Sequence, residues 1–208
     1  MKQARAWGVH DGNTLENEVI PAMTKTFAAT ASLFLLGTSL AFAQTTTTTG
    51  TTGDMKDMKE WQVAKTAKVA LPQAISTAEM QGEEKGGRAI DADFEKADSK
   101  DPVHYAVKVV YPSGKLVEYG INADTGAVYK TENQPIERYF TFLTTKNFNE
   151  AKTTLKDALV IAEQKAGGGK AYEAEVSKDG KAVQYEIKVA GADKEQTVKV
   201  GPDGKVVD

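Results

Sequence analysis

Cysteine is absent from this chain. That removes disulfide scaffolds, iron–sulfur clusters, Cys-based zinc sites and thiol nucleophiles together. Histidine is scarce, with only His10 and His104, so the usual acid–base and metal-binding residue is nearly missing. Charge of one sign is missing too: 26 Lys and Arg stand against 29 Asp and Glu, a net charge of −3. A nucleic-acid binder would favour a basic face, and none is expected here. With 26% charged and 40% hydrophobic residues, the 208-residue chain has the composition of a globular protein, which excludes coiled-coil, collagen-like and wholly disordered readings.

The longest apolar stretch lies between Met23 and Ala43, MTKTFAATASLFLLGTSLAFA. A lysine, an apolar core from Phe27 and a small-x-small ending at Ala43 spell a secretory signal peptide, cleaved between Ala43 and Gln44. Residues 1–43 are therefore read as leader. Asp11, Glu16 and Glu18 sit awkwardly upstream of the core, which makes Met23 the better start. A membrane span is the rival reading. The segment from Phe27 to Ala43 is only about 17 residues and no positive stop follows it, so no stable span is expected after processing. The sequence predicts an exported, periplasmic or secreted protein. Residues 44–53, QTTTTTGTTG, have no apolar periodicity and read as a flexible tether.

The remainder repeats itself. Leu71, Ala74, Ala78 and Glu79 match Leu155, Ala158, Ala162 and Glu163 at an offset of 84; Gly87-Arg88-Ala89 matches Gly169-Lys170-Ala171 at 82; Tyr105, Val107 and Val109 match Tyr185, Ile187 and Val189 at 80. Asp124-Thr125-Gly126 then corresponds to Asp203-Gly204. The falling offset places the length differences in turns, where they are best tolerated.

Each copy opens on helical spacing. Leu155, Ala158, Leu159 and Ala162 recur at i, i+3, i+4 and i+7, with Thr154 as N-cap and Asp157 three residues on. In the first copy the helix is predicted to run to about Lys85, with Gly86-Gly87 ending it as Gly167-Gly168-Gly169 end the second. The period then changes to two, with Tyr105, Val107 and Val109 alternating with Ala106 and Lys108, and Tyr185, Ile187 and Val189 with Glu186 and Lys188. Gly-containing turns separate the strands. The expected fold class is α+β: two small modules, 54–132 and 150–208, each a helix on a three- to four-stranded antiparallel sheet. Between them, the connector 133–149 carries Tyr139, Phe140, Phe142, Leu143 and Phe148, read as packing between modules, with an exposed recognition strip as the alternative.

Both copies resemble the PepSY domain, found in propeptides of secreted thermolysin-like metallopeptidases and in small exported bacterial proteins. The resemblance lies in the helix pattern Leu-x-x-Ala-x-x-x-Ala-Glu, the Gly break, the Tyr-x-Val-Lys-Val strand and the turn with Asp124 and Gly126. The second turn, with Asp203 and Gly204, lacks the threonine. The resemblance implies an α+β fold and a non-catalytic role in binding or restraining extracytoplasmic peptidases. It carries Leu71, Ala74, Ala78, Tyr105, Val107, Leu155, Ala158, Ala162, Tyr185 and Ile187, with the two turns, only as core, cap and turn positions.

The residues themselves offer little chemistry. His104 precedes a strand with no Ser and Asp arrangement around it, and reads as a partly exposed strand end. The acidic run from Asp91 to Asp101 fails the EF-hand pattern, because position 6 is Lys96 and position 12 is Pro102. It reads as a solvated strand edge and loop, with Asp91, Asp93, Asp98 and Asp101 left as weak calcium candidates. Trp61, ahead of the first helix, reads as an anchor onto the core. No enzyme activity, cofactor or metal is expected. The expected function is an exported protein that binds, and inhibits or modulates, an extracytoplasmic peptidase or another envelope protein. The alternative is a structural, small-ligand or calcium-binding envelope module.

Overall fold

Period-two alternation becomes strand along most of the chain. The computed structural model describes residues 54–139 and 141–207; the expected leader with its Ala43–Gln44 cleavage and the tether lie outside them. Three helices come first: α1 (Asp54–Asp57), α2 (Glu60–Ala64) and α3 (Leu71–Glu79). Four strands follow, β1 (Arg88–Glu95), β2 (His104–Val110), β3 (Leu116–Asn122) and β4 (Val128–Asn133). A 3-10 turn at Glu137–Tyr139 and α4 (Thr145–Asn149) then lead into α5 (Leu155–Lys165). The chain closes with β5 (Lys170–Asp179), β6 (Ala182–Ala190), β7 (Glu195–Val200) and β8 (Val206–Val207).

The expectation of two small α+β modules is overturned. All eight strands join in one antiparallel sheet of order β4-β3-β2-β1-β5-β6-β7-β8, so the protein is mostly β, with few short helices. The sheets fuse because β1 is not an edge. It pairs with β5, Asp91 opposite Glu175 and Ala92 opposite Ala174. Ala92 and Ala174 occupy the same place in the two copies, at the offset that relates Ala89 to Ala171. A residue thus pairs with its own counterpart, and a local pseudo-two-fold axis runs through the seam. The bulges match as well, with Ile90 extra in β1 and Tyr172 extra in β5.

Directly opposite residues share a face. Tyr119, Val107, Ala92, Ala174, Ile187 and Val198 therefore line up across six strands, and all are buried. Helix α3 lies over β1–β3 and α5 over β5–β7, each turning its alanines down: Ala74, Ala78, Ala158 and Ala162 are fully buried beside Leu71 and Leu155. The alanines matter because side chains this small bring helix and sheet backbones close.

The same polar devices tie each helix to its strands. The Tyr105 hydroxyl donates to the Val69 carbonyl at 2.9 Å, and Tyr185 to the Thr153 carbonyl at 2.6 Å. Glu79 accepts from the Ala89 N–H at 3.0 Å, and Glu163 from the Ala171 N–H at 2.9 Å. Helix α5 starts at a capping box, Thr154 accepting from the Asp157 N–H. Helix α3 ends at Glu79, six residues before the expected end at Lys85. Gly87 is needed for a different reason: a Cβ there would come 2.7 Å from Val109, as one on Gly169 would from Val189. In the turns, Asp124 follows Asn122, whose side chain accepts from the Asp124 and Thr125 N–H groups, and Gly126 and Gly204 both take positive φ.

Trp61 is buried in α2, and Lys96 holds the preceding turn through the Lys56 and Met58 carbonyls. After β4 the chain crosses the sheet's other face, where Glu137 bonds Lys108 at 2.9 Å. Of the connector's apolar residues, Leu143 is buried, Phe148 packs partly on the core and Phe142 stays exposed.

A shared sheet has a thermodynamic signature. Denaturant should unfold the chain in one transition; two separated transitions would mean that the halves fold apart. Tyr105→Phe and Tyr185→Phe should each lower the unfolding free energy by about 1–3 kcal/mol, by leaving the Val69 or Thr153 carbonyl without its donor.

Candidate binding face

The sheet face turned away from α3 and α5 carries the chain's polar period. One transverse row of directly opposed residues reads Glu132, Glu118, Lys108, Asp91, Glu175, Glu186 and Lys199 across β4, β3, β2, β1, β5, β6 and β7. Some neighbours are matched. Lys108 reaches Asp91 at 2.9 Å, and Lys199 reaches Glu186 at 3.0 Å. In the adjoining row Lys188 reaches Glu173 at 2.6 Å.

Three cross-strand pairs set like charges opposite one another, although one member of each also reaches a lysine: Asp91 with Lys108, Glu186 with Lys199 and Glu132 with Lys130. Glu118 faces Glu132, Asp91 faces Glu175, and Glu175 faces Glu186. Like charges directly opposite on antiparallel strands are destabilising, and a pair of small polar residues would avoid the repulsion. Burial pushes the Glu118 carboxyl up, and Glu132 adds to the effect against the pull of Lys108 and Lys130. Glu175, Glu132 and Lys199 are exposed, whereas the centre of the row is partly covered where the connector passes Asp91 and Lys108.

Asp93 sits on the same face of β1, beside Asp91. Burial pushes its carboxyl up to about 7, reinforced by Asp91 and Glu173 and opposed by Lys108 and Lys188. Both lysines are already engaged, Lys108 with Asp91 and Glu137 and Lys188 with Glu173. Glu60 of α2 is raised as well, chiefly by burial and then by Glu173 and Glu95.

The four calcium candidates do not converge. Asp91 and Asp93 lie in a central strand, which overturns their placement on a strand edge: pairing with β5 made β1 interior. Asp98 lies in the following loop, where it accepts from the Lys100 and Asp101 N–H groups at 2.7 Å each. Those bonds hold its carboxyl below the usual range. Among the described residues no three His, Cys, Asp or Glu side chains gather as metal ligands.

His104 also differs from expectation. It is 5% exposed, with Nδ1 2.8 Å from the Pro102 carbonyl and Nε2 3.4 Å from Glu95. Tyr129 covers it edge-on, at 5.2 Å between ring centroids. The covering ring comes from β4 and passes over Gly120, where a Cβ would lie 2.6 Å from it. This long-range packing leaves no mark in the sequence around His104.

Sequence reasoning missed Glu118, Glu132, Glu175 and Glu186. Their polar period was visible, but only the strand register sets like charges opposite one another.

The shift at Asp93 has a sign. The folded protein keeps a proton that the unfolded chain has released, so this group's contribution to stability falls as pH rises from the ordinary aspartate range through about 7. Asp93→Asn should flatten that decline when melting temperatures are measured between pH 5 and pH 8, and should stabilise the protein at the upper end. An unchanged slope would refute the assignment.

No family model matches the chain, and no curated protein does. Among solved structures, a candidate lipoprotein of Clostridium difficile 630 aligns over 68% of this chain and 92% of its own, at 23% identity and a TM-score of 0.41. Likeness at that level carries no argument about fold or function.

Proposed function

We propose that this chain is an exported, non-catalytic protein that binds an extracytoplasmic protein through the exposed carboxylates on this face of its sheet. The observation that carries the reading is the set of three in-register carboxylate pairs, Glu118 with Glu132, Asp91 with Glu175 and Glu175 with Glu186. Glu175, exposed between Asp91 and Glu186 and without a salt bridge among the described residues, leaves negative charge that a cationic surface laid over it would offset. Departures from local consistency of this kind concentrate where function needs them. The acidity equally disfavours nucleic acid as the partner.

Export rests on the signal pattern of residues 23–43, and no helix among the described residues is long and apolar enough to cross a membrane. A secreted peptidase is the partner class that the PepSY resemblance favours, and inhibition or modulation the role. The scarcity of histidine and the absence of cysteine fit a protein that binds rather than reacts.

N-terminal sequencing of the exported protein should begin near Gln44; a start far from it would remove the export reading. For the partner, the purified protein should capture a peptidase or another cationic envelope protein from periplasm or culture medium at low salt, and release it as ionic strength rises. Glu175→Gln combined with Glu186→Gln should weaken capture at least several-fold. Capture of nothing, or equal capture by that variant, would overturn the proposal.

A further inference from the structure

The two sheet edges are unequal. On one side β8 contributes two residues, which cover only Lys199 and Val200 of β7. On the other side β4 ends the sheet with six residues, contains no proline and has no neighbour beyond it among the described residues. Long uncovered edges invite pairing with another strand.

The direction of β4's free backbone groups follows from its ladder. The Gln134 N–H donates to the Leu116 carbonyl at 3.0 Å, continuing a register in which Glu118 faces Glu132 and Gly120 faces Lys130. Backbone bonding alternates along an antiparallel strand. Glu132 and Lys130 therefore turn their N–H and C=O groups inward to β3, whereas Thr131 and Asn133 turn theirs to the open edge.

We propose that β4 pairs with β4 of a second copy of this chain, antiparallel about a two-fold axis at Thr131, so that the two sheets continue as one. The charges select this partner and this register. The ladder shifts register at Tyr129, so the regular outward-facing residues, Thr131 and Asn133, can pair about Lys130, Thr131, Glu132 or Asn133 as centre. A centre at Lys130 sets Lys130 against Lys130 of the second copy, and a centre at Glu132 sets Glu132 against Glu132. Centres at the strand ends leave most of β4 unpaired. A centre at Thr131 instead sets Lys130 opposite Glu132 twice, once in each direction, and brings the two threonines together, a favourable cross-strand pair.

Within one chain Lys130 and Glu132 reach each other at 3.2 Å along the strand, while Glu132 faces the like charge of Glu118. Lys130 of the second copy supplies the opposite charge that Glu132 lacks across the strand. The axis stands perpendicular to the sheet, so α3 and α5 of both copies lie on one side and the acidic rows on the other. The interface is separate from Glu175 and Glu186, and does not depend on the function proposed above.

Sedimentation or light scattering of the whole mature chain should give a dimer mass that falls toward the monomer on dilution. Lys130→Glu places carboxylates opposite one another at both positions and should yield a monomer. Glu132→Lys should do the same with lysines. Mixing these two variants should restore a dimer containing one of each, because every cross-strand pair is then of opposite sign. The exchanged variant carrying both changes should dimerise alone. Thr131→Pro removes the central outward N–H and should leave a monomer whose circular dichroism is unchanged. A wild-type chain that stays monomeric at the highest soluble concentration overturns the proposal. A dimer that survives Lys130→Glu, or single variants that do not recombine, overturns it equally.

Discussion

The architecture depends on one short contact, the pairing of Ala92 with Ala174 at the centre of the sheet. Either half alone would leave β1 or β5 as an edge, with apolar side chains on one face and unmatched backbone groups along its side. The pairing satisfies those groups and turns two marginal cores into one apolar row beneath α3 and α5. Methyl side chains suit the position. Ala92 and Ala174 are fully buried, in strands that lie under α3 and α5.

The seam also determines what the opposite face can be. Because strand residues alternate, bringing the alanines together commits Asp91 and Glu175 to face each other on the other side. The charged row then follows strand by strand to β4 and β7. The buried layer and the acidic face are thus two results of one register, and a slip of a single residue would exchange them. The crossing after β4 belongs to the same design, with Glu137 bonding the lysine that already serves Asp91.

Much of the local structure was legible. Thr154 and Asp157 marked a helix start because capping chemistry is local, and Tyr105 and Tyr185 marked strands because alternation is local. The correspondence between copies survived changes of loop length, so both tyrosines reach equivalent carbonyls. The union of the two halves was not legible. In the run from Asp91 to Asp101 the acidic residues suggested an exposed edge and loop, whereas burial comes from Ala92, a residue small enough to suit either setting. Strand pairing over some eighty residues leaves no spacing to read. The burial of His104 was hidden for the same reason, since the ring covering it comes from a different hairpin. Helix α3 ends well before Gly86-Gly87, and Gly87 serves a close approach to Val109 rather than a helix cap.

A residue that meets its own duplicate experiences substitution differently from one that does not. Elsewhere the two copies are free to drift apart, as Val69 and Thr153 have done while offering the same carbonyl to a tyrosine. At the axis no such freedom exists: growth of one side chain is felt at once by its counterpart, and tolerance of either depends on the present size of both. The centre of the sheet therefore links the histories of the two copies, making them one evolutionary unit at the place where they touch.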